Sequence, residues 1–144
     1  MTAYADTSAL LKLYVDEQGS DEVWRWLSDA PVSTCRITWA EARAALARRE
    51  RETPAAVTTW AVARARLAED WASIHVVDVT QALVEKAGEL AEGFALRGYD
   101  AVQLAAAQAL HAALAEPIAF LSFDRRLNRA ARLLGLGLPE GALL

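Results

Sequence analysis

Short apolar runs alternate along the chain with longer stretches in which apolar residues recur every three or four positions. Residues 2–5 form a first candidate strand ending at Asp6. A helical run follows, carrying Leu10, Leu11, Leu13 and Tyr14, until Gly19 and Ser20 break it. Ser20 is placed to cap a second helix through Trp24 and Leu27, with Glu17 and Glu22 near its positive end. Beyond Pro31, residues 32–35 read as a buried strand, and residues 38–52 as a helix. Pro54 is expected to open another helix reaching about Trp71. Residues 74–77 read as a third strand. Thr80 is expected to cap a helix that stops before Gly98, and residues 99–114 form an alanine-rich helix. After Pro117, residues 118–123 make the clearest strand, with Asp124 directly behind it and a last helix ending at Gly135 or Gly137.

Strands this short and apolar, separated by helices, point to an α/β fold: a parallel sheet covered on both faces, in three layers (α/β/α), with four or five strands. The 144 residues favour a single domain over residues 1–144, and 54% hydrophobic residues suffice for one core. A net charge of −4 counts against a protein that coats nucleic acid broadly, but a site made of carboxylates carries negative charge of its own. The single cysteine, Cys35, rules out an intrachain disulfide and fits a reducing compartment. The N-terminal residues lack a signal-peptide pattern, and no run of about 18 apolar residues occurs, so a cytoplasmic protein with no membrane span is expected.

Four acids carry the candidate chemistry. Asp6 and Asp124 both sit where an apolar strand ends, and open parallel sheets bind ligands at the carboxyl ends of their strands. Asp100 opens the helix after Gly98 and Tyr99, as a ligand or as a plain N-cap. Glu41 lies inside a helix, on a face shared with Ile37, Ala44 and Ala45, where a carboxylate is awkward unless a cation or a donor meets it. Brought together, such acids would repel until a proton or cation intervened. All-oxygen ligation suits Mg²⁺, Mn²⁺ or Ca²⁺ rather than zinc, and Cys35, His75 and His111 are too scattered to form a metal cluster. Carboxylates, a hard cation and no conventional nucleophile point to hydrolysis of a phosphodiester.

The segments around these acids resemble the PIN-domain ribonucleases, specifically the VapC toxins of bacterial and archaeal toxin–antitoxin pairs. The resemblance runs through Asp6-Thr7-Ser8-Ala9-Leu10-Leu11-Lys12-Leu13-Tyr14, then Thr38-Trp39-Ala40-Glu41-Ala42-Arg43-Ala44-Ala45. It continues in Tyr99-Asp100-Ala101-Val102-Gln103-Leu104-Ala105-Ala106-Ala107 and closes with Phe120-Leu121-Ser122-Phe123-Asp124-Arg125-Arg126-Leu127. It implies that Asp6, Glu41, Asp100 and Asp124 are the catalytic quartet holding Mg²⁺ or Mn²⁺. It further implies an RNA substrate, a homodimer and inhibition by a cognate VapB-type antitoxin. Ser122 stands where the family often has threonine, preserving a hydroxyl, and the stretch between Asp100 and Asp124 is slightly long.

Around the acids, Ser8 can orient Asp6, bind phosphate at a helix start, or simply cap. Ser122 is a candidate donor to the acids, and Arg125 and Asn128 are candidate substrate contacts. Arginines cluster at positions 125, 126, 129 and 132 and again at 43, 48, 49 and 51, as phosphate contacts or as solvated faces. The five tryptophans suit core or interface packing better than base stacking, although Trp24 and Trp26 cannot both face inward from one helix. A phospho-receiver would need a second acid beside Asp6 and a lysine after the last strand, and a haloacid-dehalogenase phosphatase would need an acid where Ser8 stands. A housekeeping RNA-processing nuclease and a non-catalytic interaction module of the same fold remain as alternatives.

Overall fold

The computed structural model describes residues 1–144. Four strands, β1 (Thr2–Ala5), β2 (Val32–Cys35), β3 (His75–Val77) and β4 (Ile118–Leu121), form one parallel sheet in the order β3-β2-β1-β4. The helices are α1 (Thr7–Leu11), α2 (Ser20–Leu27), α3 (Thr38–Glu52), α4 (Val57–Asp70), α5 (Gln81–Phe94), α6 (Gly98–Leu114) and α7 (Arg125–Leu133). The expected choice between four and five strands resolves to four plus a single parallel bridge from Ala119 to Gly137. Gly137 fits there because a Cβ would stand 3.0 Å from the Ile118 carbonyl oxygen, to which its own N–H donates.

Side chains alternate across the sheet, as strand pleating requires. Tyr4, Ile118 and Phe120 point to one face and pack with Leu83, Leu104 and Leu127 of α5, α6 and α7. Ala3, Ala5 and Leu121 point to the other and pack with Leu10, Leu46, Trp60 and Leu67 of α1, α3 and α4. These are the two outer layers of the α/β/α arrangement. Tyr4 and Phe120, on neighbouring strands, stack nearly parallel with ring centres 5.8 Å apart.

Several local expectations are corrected. The first helix closes at Leu11 rather than running through Tyr14: the Leu13 and Tyr14 amides reach back only three residues, to Leu10 and Leu11. Ser20 does not cap α2, since its hydroxyl donates to the Val15 carbonyl and accepts from the Glu17 amide; Gly19 holds the N-cap position at φ +94°. Pro54 opens a single 3₁₀ turn over Pro54–Ala56 before α4 begins, and Trp71 lies in a second such turn. Strand β4 stops at Leu121, leaving Ser122 and Phe123 in the turn that leads to Asp124. Thr80 caps α5 as expected, accepting the Leu83 amide at 3.2 Å.

The strand order positions the site. From β1 the chain moves outward through β2 to β3, then returns past β1 to β4 on its other side. The switch point therefore lies between β1 and β4, the place where open α/β sheets bind their ligands. Asp6 follows β1 and Asp124 approaches from β4.

Candidate active site

Asp6 is the most confined of the acids, only 5% exposed. Its backbone N–H donates to the Leu121 carbonyl, which extends the β1–β4 ladder by one rung. Its side chain caps α1: Oδ1 accepts the Ala9 amide at 2.9 Å and the Ser8 hydroxyl at 2.7 Å. Ser8 is thus not the cap; it grips the residue that is, and also accepts the Phe123 amide at 3.1 Å. Burial pushes the Asp6 carboxyl up from 3.8 to about 6, against the pull of Ser122, Ser8 and the Ala9 amide, with the Asp100 charge adding to the rise.

Asp124 caps α7 in the same manner, Oδ1 accepting the Leu127 amide at 3.0 Å, while its own amide donates to the Ser122 hydroxyl at 3.0 Å. Both strand-following aspartates therefore sit at helix N-termini, whose dipoles favour negative charge. Asp100 is not an N-cap, because α6 begins two residues earlier and Arg97 holds that position. It lies half-buried in the first turn of α6. Its carboxyl is pushed above the ordinary range by burial first, then by the charges of Asp124 and Glu41, with Arg97 pulling the other way.

Glu41, half-buried in α3, is met by two donors: Thr7 Oγ1 at 2.7 Å and Gln103 Nε2 at 2.8 Å, both on Oε1. Sequence reasoning recognised that Glu41 needed such partners but did not supply them. Gln103 was findable by the same logic, being an amide on the apolar face of an alanine-rich helix, one turn beyond Asp100. Thr7 and Tyr4 carry no signal apart from the fold.

The four acids come from four separate segments and influence one another electrostatically, with Asp100 central: it feels Asp124 and Glu41, and Asp6 feels it. No three of them stand close enough to grip one ion as they are. Unscreened carboxylates repel, and Asp6, Glu41 and Asp124 are each held by donors of their own instead. The donor set is all oxygen and anionic, which fits Mg²⁺ or Mn²⁺. A cleft of about 420 Å³ opens over Asp100 and Asp124, and Leu96, Arg97, Phe123, Arg125 and Arg126 complete its wall.

Of the other expected residues, Ser122 is buried, its hydroxyl meeting the Asp124 amide and the Asp6 side chain. Asn128 is corrected as a substrate contact. It is fully buried and its Nδ2 donates to the carbonyls of Ser122 and Leu143, so it fixes the backbone of the Ser122 turn and does not reach RNA. Arg125 is exposed on the cleft wall, and Arg97 joins it there unforeseen. In the second arginine group, Arg49 is paired with Glu17 and Arg43 lies over the Trp39 ring. Trp24 is exposed, while Trp26 packs on Phe123.

The sequence of residues 3–133 matches the family model described as PIN domain. The chain belongs to the PIN-domain family. Two relatives place it in the family's VapC branch. Ribonuclease VapC45 of Mycobacterium tuberculosis (strain CDC 1551 / Oshkosh) is 36% identical over 136 residues, covering 92% of this chain and 90% of that protein. Ribonuclease VapC49 of M. tuberculosis (strain ATCC 25618 / H37Rv) matches with the same identity and coverage. The PIN fold is also that of a chain in a toxin–antitoxin complex from Klebsiella pneumoniae. That chain superimposes with a TM-score of 0.59 at 20% identity, covering 85% of this chain and 87% of that one. No helix of this PIN domain is long and apolar enough to cross a membrane.

Proposed function

We propose that this protein is a VapC-type toxin, an endoribonuclease that hydrolyses RNA phosphodiester bonds with Mg²⁺ or Mn²⁺ held by Asp6, Glu41, Asp100 and Asp124. The observation that carries the reading is the delivery of four acids from four segments to the β1–β4 switch point, in a chain 36% identical to proteins named ribonucleases. A divalent cation in such a site neutralises charge on the phosphate and acidifies bound water. The chain's own residues do the rest. Ser8, Ser122 and the Ala9 amide hold Asp6 toward its charged form, the one a cation requires. Glu41, with Oε1 taken by Thr7 and Gln103, keeps Oε2 for the cation or for orienting the attacking water. Arg97, Arg125 and Arg126 on the cleft wall offer charge to the RNA backbone.

The toxin acts in the cytoplasm as a homodimer and is restrained by a VapB-type antitoxin. The antitoxin assignment is supported by the structural relative's place in a toxin–antitoxin complex, and the homodimer follows from the resemblance to VapC toxins. Antitoxin-free protein should cut labelled RNA in the presence of Mn²⁺ or Mg²⁺, while Asp6→Ala should not. Equal cleavage by the two proteins would reject the assignment. Expression alone should arrest growth and co-expression of the neighbouring antitoxin gene should relieve it, an outcome a housekeeping nuclease would not give.

A further inference from the structure

Gln103 is 2% exposed and lies at the meeting point of β1, α1, α3 and α6. Its Nε2 stands 2.8 Å from Glu41 Oε1, 2.9 Å from Thr38 Oγ1 and 3.2 Å from Thr7 Oγ1, and its Oε1 accepts the Tyr4 hydroxyl at 2.6 Å. The proton directions in this cluster follow from valence. Thr34 spends its only proton on the Ala5 carbonyl, at 2.7 Å. In the 2.8 Å pair between Thr34 and Thr38 the donor is therefore Thr38. Thr38, its proton spent, can only accept from Gln103, whose other N–H goes to Glu41; Thr7, its own proton given to Glu41, accepts at most a share of these two protons at 3.2 Å. Every neighbour thus demands that the amide present its nitrogen to Glu41 and its oxygen to Tyr4. The flipped amide would set a carbonyl against a carboxylate. Hydrogen bonds run in one direction from Tyr4 on β1, through Gln103, Thr38 and Thr34, back to Ala5 on the same strand, and Glu41 hangs from the middle of the run.

We infer that Gln103 is a positioning residue for the cation site: held in one orientation by Tyr4 and Thr38, it fixes the Glu41 carboxylate on α3 relative to Asp100 on its own helix. This rests on the functional reading above, in which Glu41 serves a divalent cation. Asp100 and Gln103 are three residues apart on one face of α6, so a single rigid helix sets one acid directly and the second through an amide. Removing an outer partner of a metal-binding side chain typically lowers metal affinity or activity by about 10–100-fold.

The test is Mn²⁺ binding by titration calorimetry, with RNA cleavage kinetics, on wild type, Gln103→Met, Tyr4→Phe and Glu41→Ala. Gln103→Met keeps length and bulk but donates nothing. It should weaken Mn²⁺ binding and lower kcat by about 10-fold or more, with the KM for RNA within about 2-fold. Tyr4→Phe, which removes the donor that pins the amide oxygen, should weaken Mn²⁺ binding by several-fold and serves if Gln103→Met does not fold. In the Glu41→Ala background neither change should weaken Mn²⁺ binding further, because both act through Glu41. Unchanged Mn²⁺ affinity in the folded single variants, or an equal further loss without Glu41, overturns the positioning role. A wild-type protein that binds no Mn²⁺ and cuts no RNA would instead defeat the functional reading on which it rests.

Discussion

The Ser8 hydroxyl stands 2.7 Å from Asp6 Oδ1 and accepts the Phe123 amide, so one side chain ties the acid behind β1 to the turn that carries the acid behind β4. Ser8→Ala should lower cleavage by about 10-fold while leaving stability within about 1 kcal/mol. Because the lost hydrogen bond favours the charged carboxylate, the acid limb of the pH–rate profile should move to higher pH.

Asp6 also couples the cation-free fold to pH. Its folded pKa, about 6, lies above the ordinary 3.8. Its contribution to stability is therefore fully present below about pH 4 and is lost as pH rises through 6. Asp6→Asn should stabilise the metal-free protein by about 2–3 kcal/mol at pH 8, with the gain vanishing near pH 4, as urea melts at the two pH values would show. Mn²⁺ should raise the Tm of wild type at pH 8 but not that of Asp6→Asn. Cleavage by wild type should fall as pH drops below about 6.

Gly19 tests the packing next to the site. It adopts φ +94°, and a Cβ there would lie 2.6 Å from Phe123 Cε1. Gly19→Ala should cost about 1–3 kcal/mol in denaturant melts through backbone strain and displacement of the ring. Since Phe123 directly precedes Asp124, kcat should fall as well.

The cleft arginines should act on binding. Arg97→Ala and Arg125→Ala should each raise the KM for RNA several-fold. Each should flatten the slope of log affinity against log salt by about 0.7, the loss of one phosphate contact on a single strand. Arg97→Ala should also raise the Asp100 carboxyl further, because Arg97 opposes the rise that burial and the neighbouring acids cause.

The sheet and most helices are legible because their signals are local: apolar runs for strands, a threonine before α5, and aspartates one residue behind β1 and three behind β4. The misread caps show where local signals fail. Ser20 looked like a cap, but the Val15 carbonyl claims its hydroxyl, and Asp100 looked like one, but α6 starts at Gly98. The place of Asn128 beside the arginines points to substrate, yet the C-terminal residues fold back so that the Leu143 carbonyl receives its amide. That Thr7 and Gln103 both meet Glu41 lay beyond local signals, although Gln103 stood out as an amide on an apolar helix face. Thr7 is 34 positions away and Gln103 is 62, and only the assembled fold brings them together.

If these four acids form one divalent-cation site, the ion must lie among them. Anomalous diffraction from crystals soaked in Mn²⁺ tests it most directly. Wild type should show a peak bounded by Asp6, Asp100 and Asp124, with Glu41 beside it, and Asp6→Asn no peak there. Strong Mn²⁺ density elsewhere with this position empty, or an undiminished peak in Asp6→Asn, would contradict it.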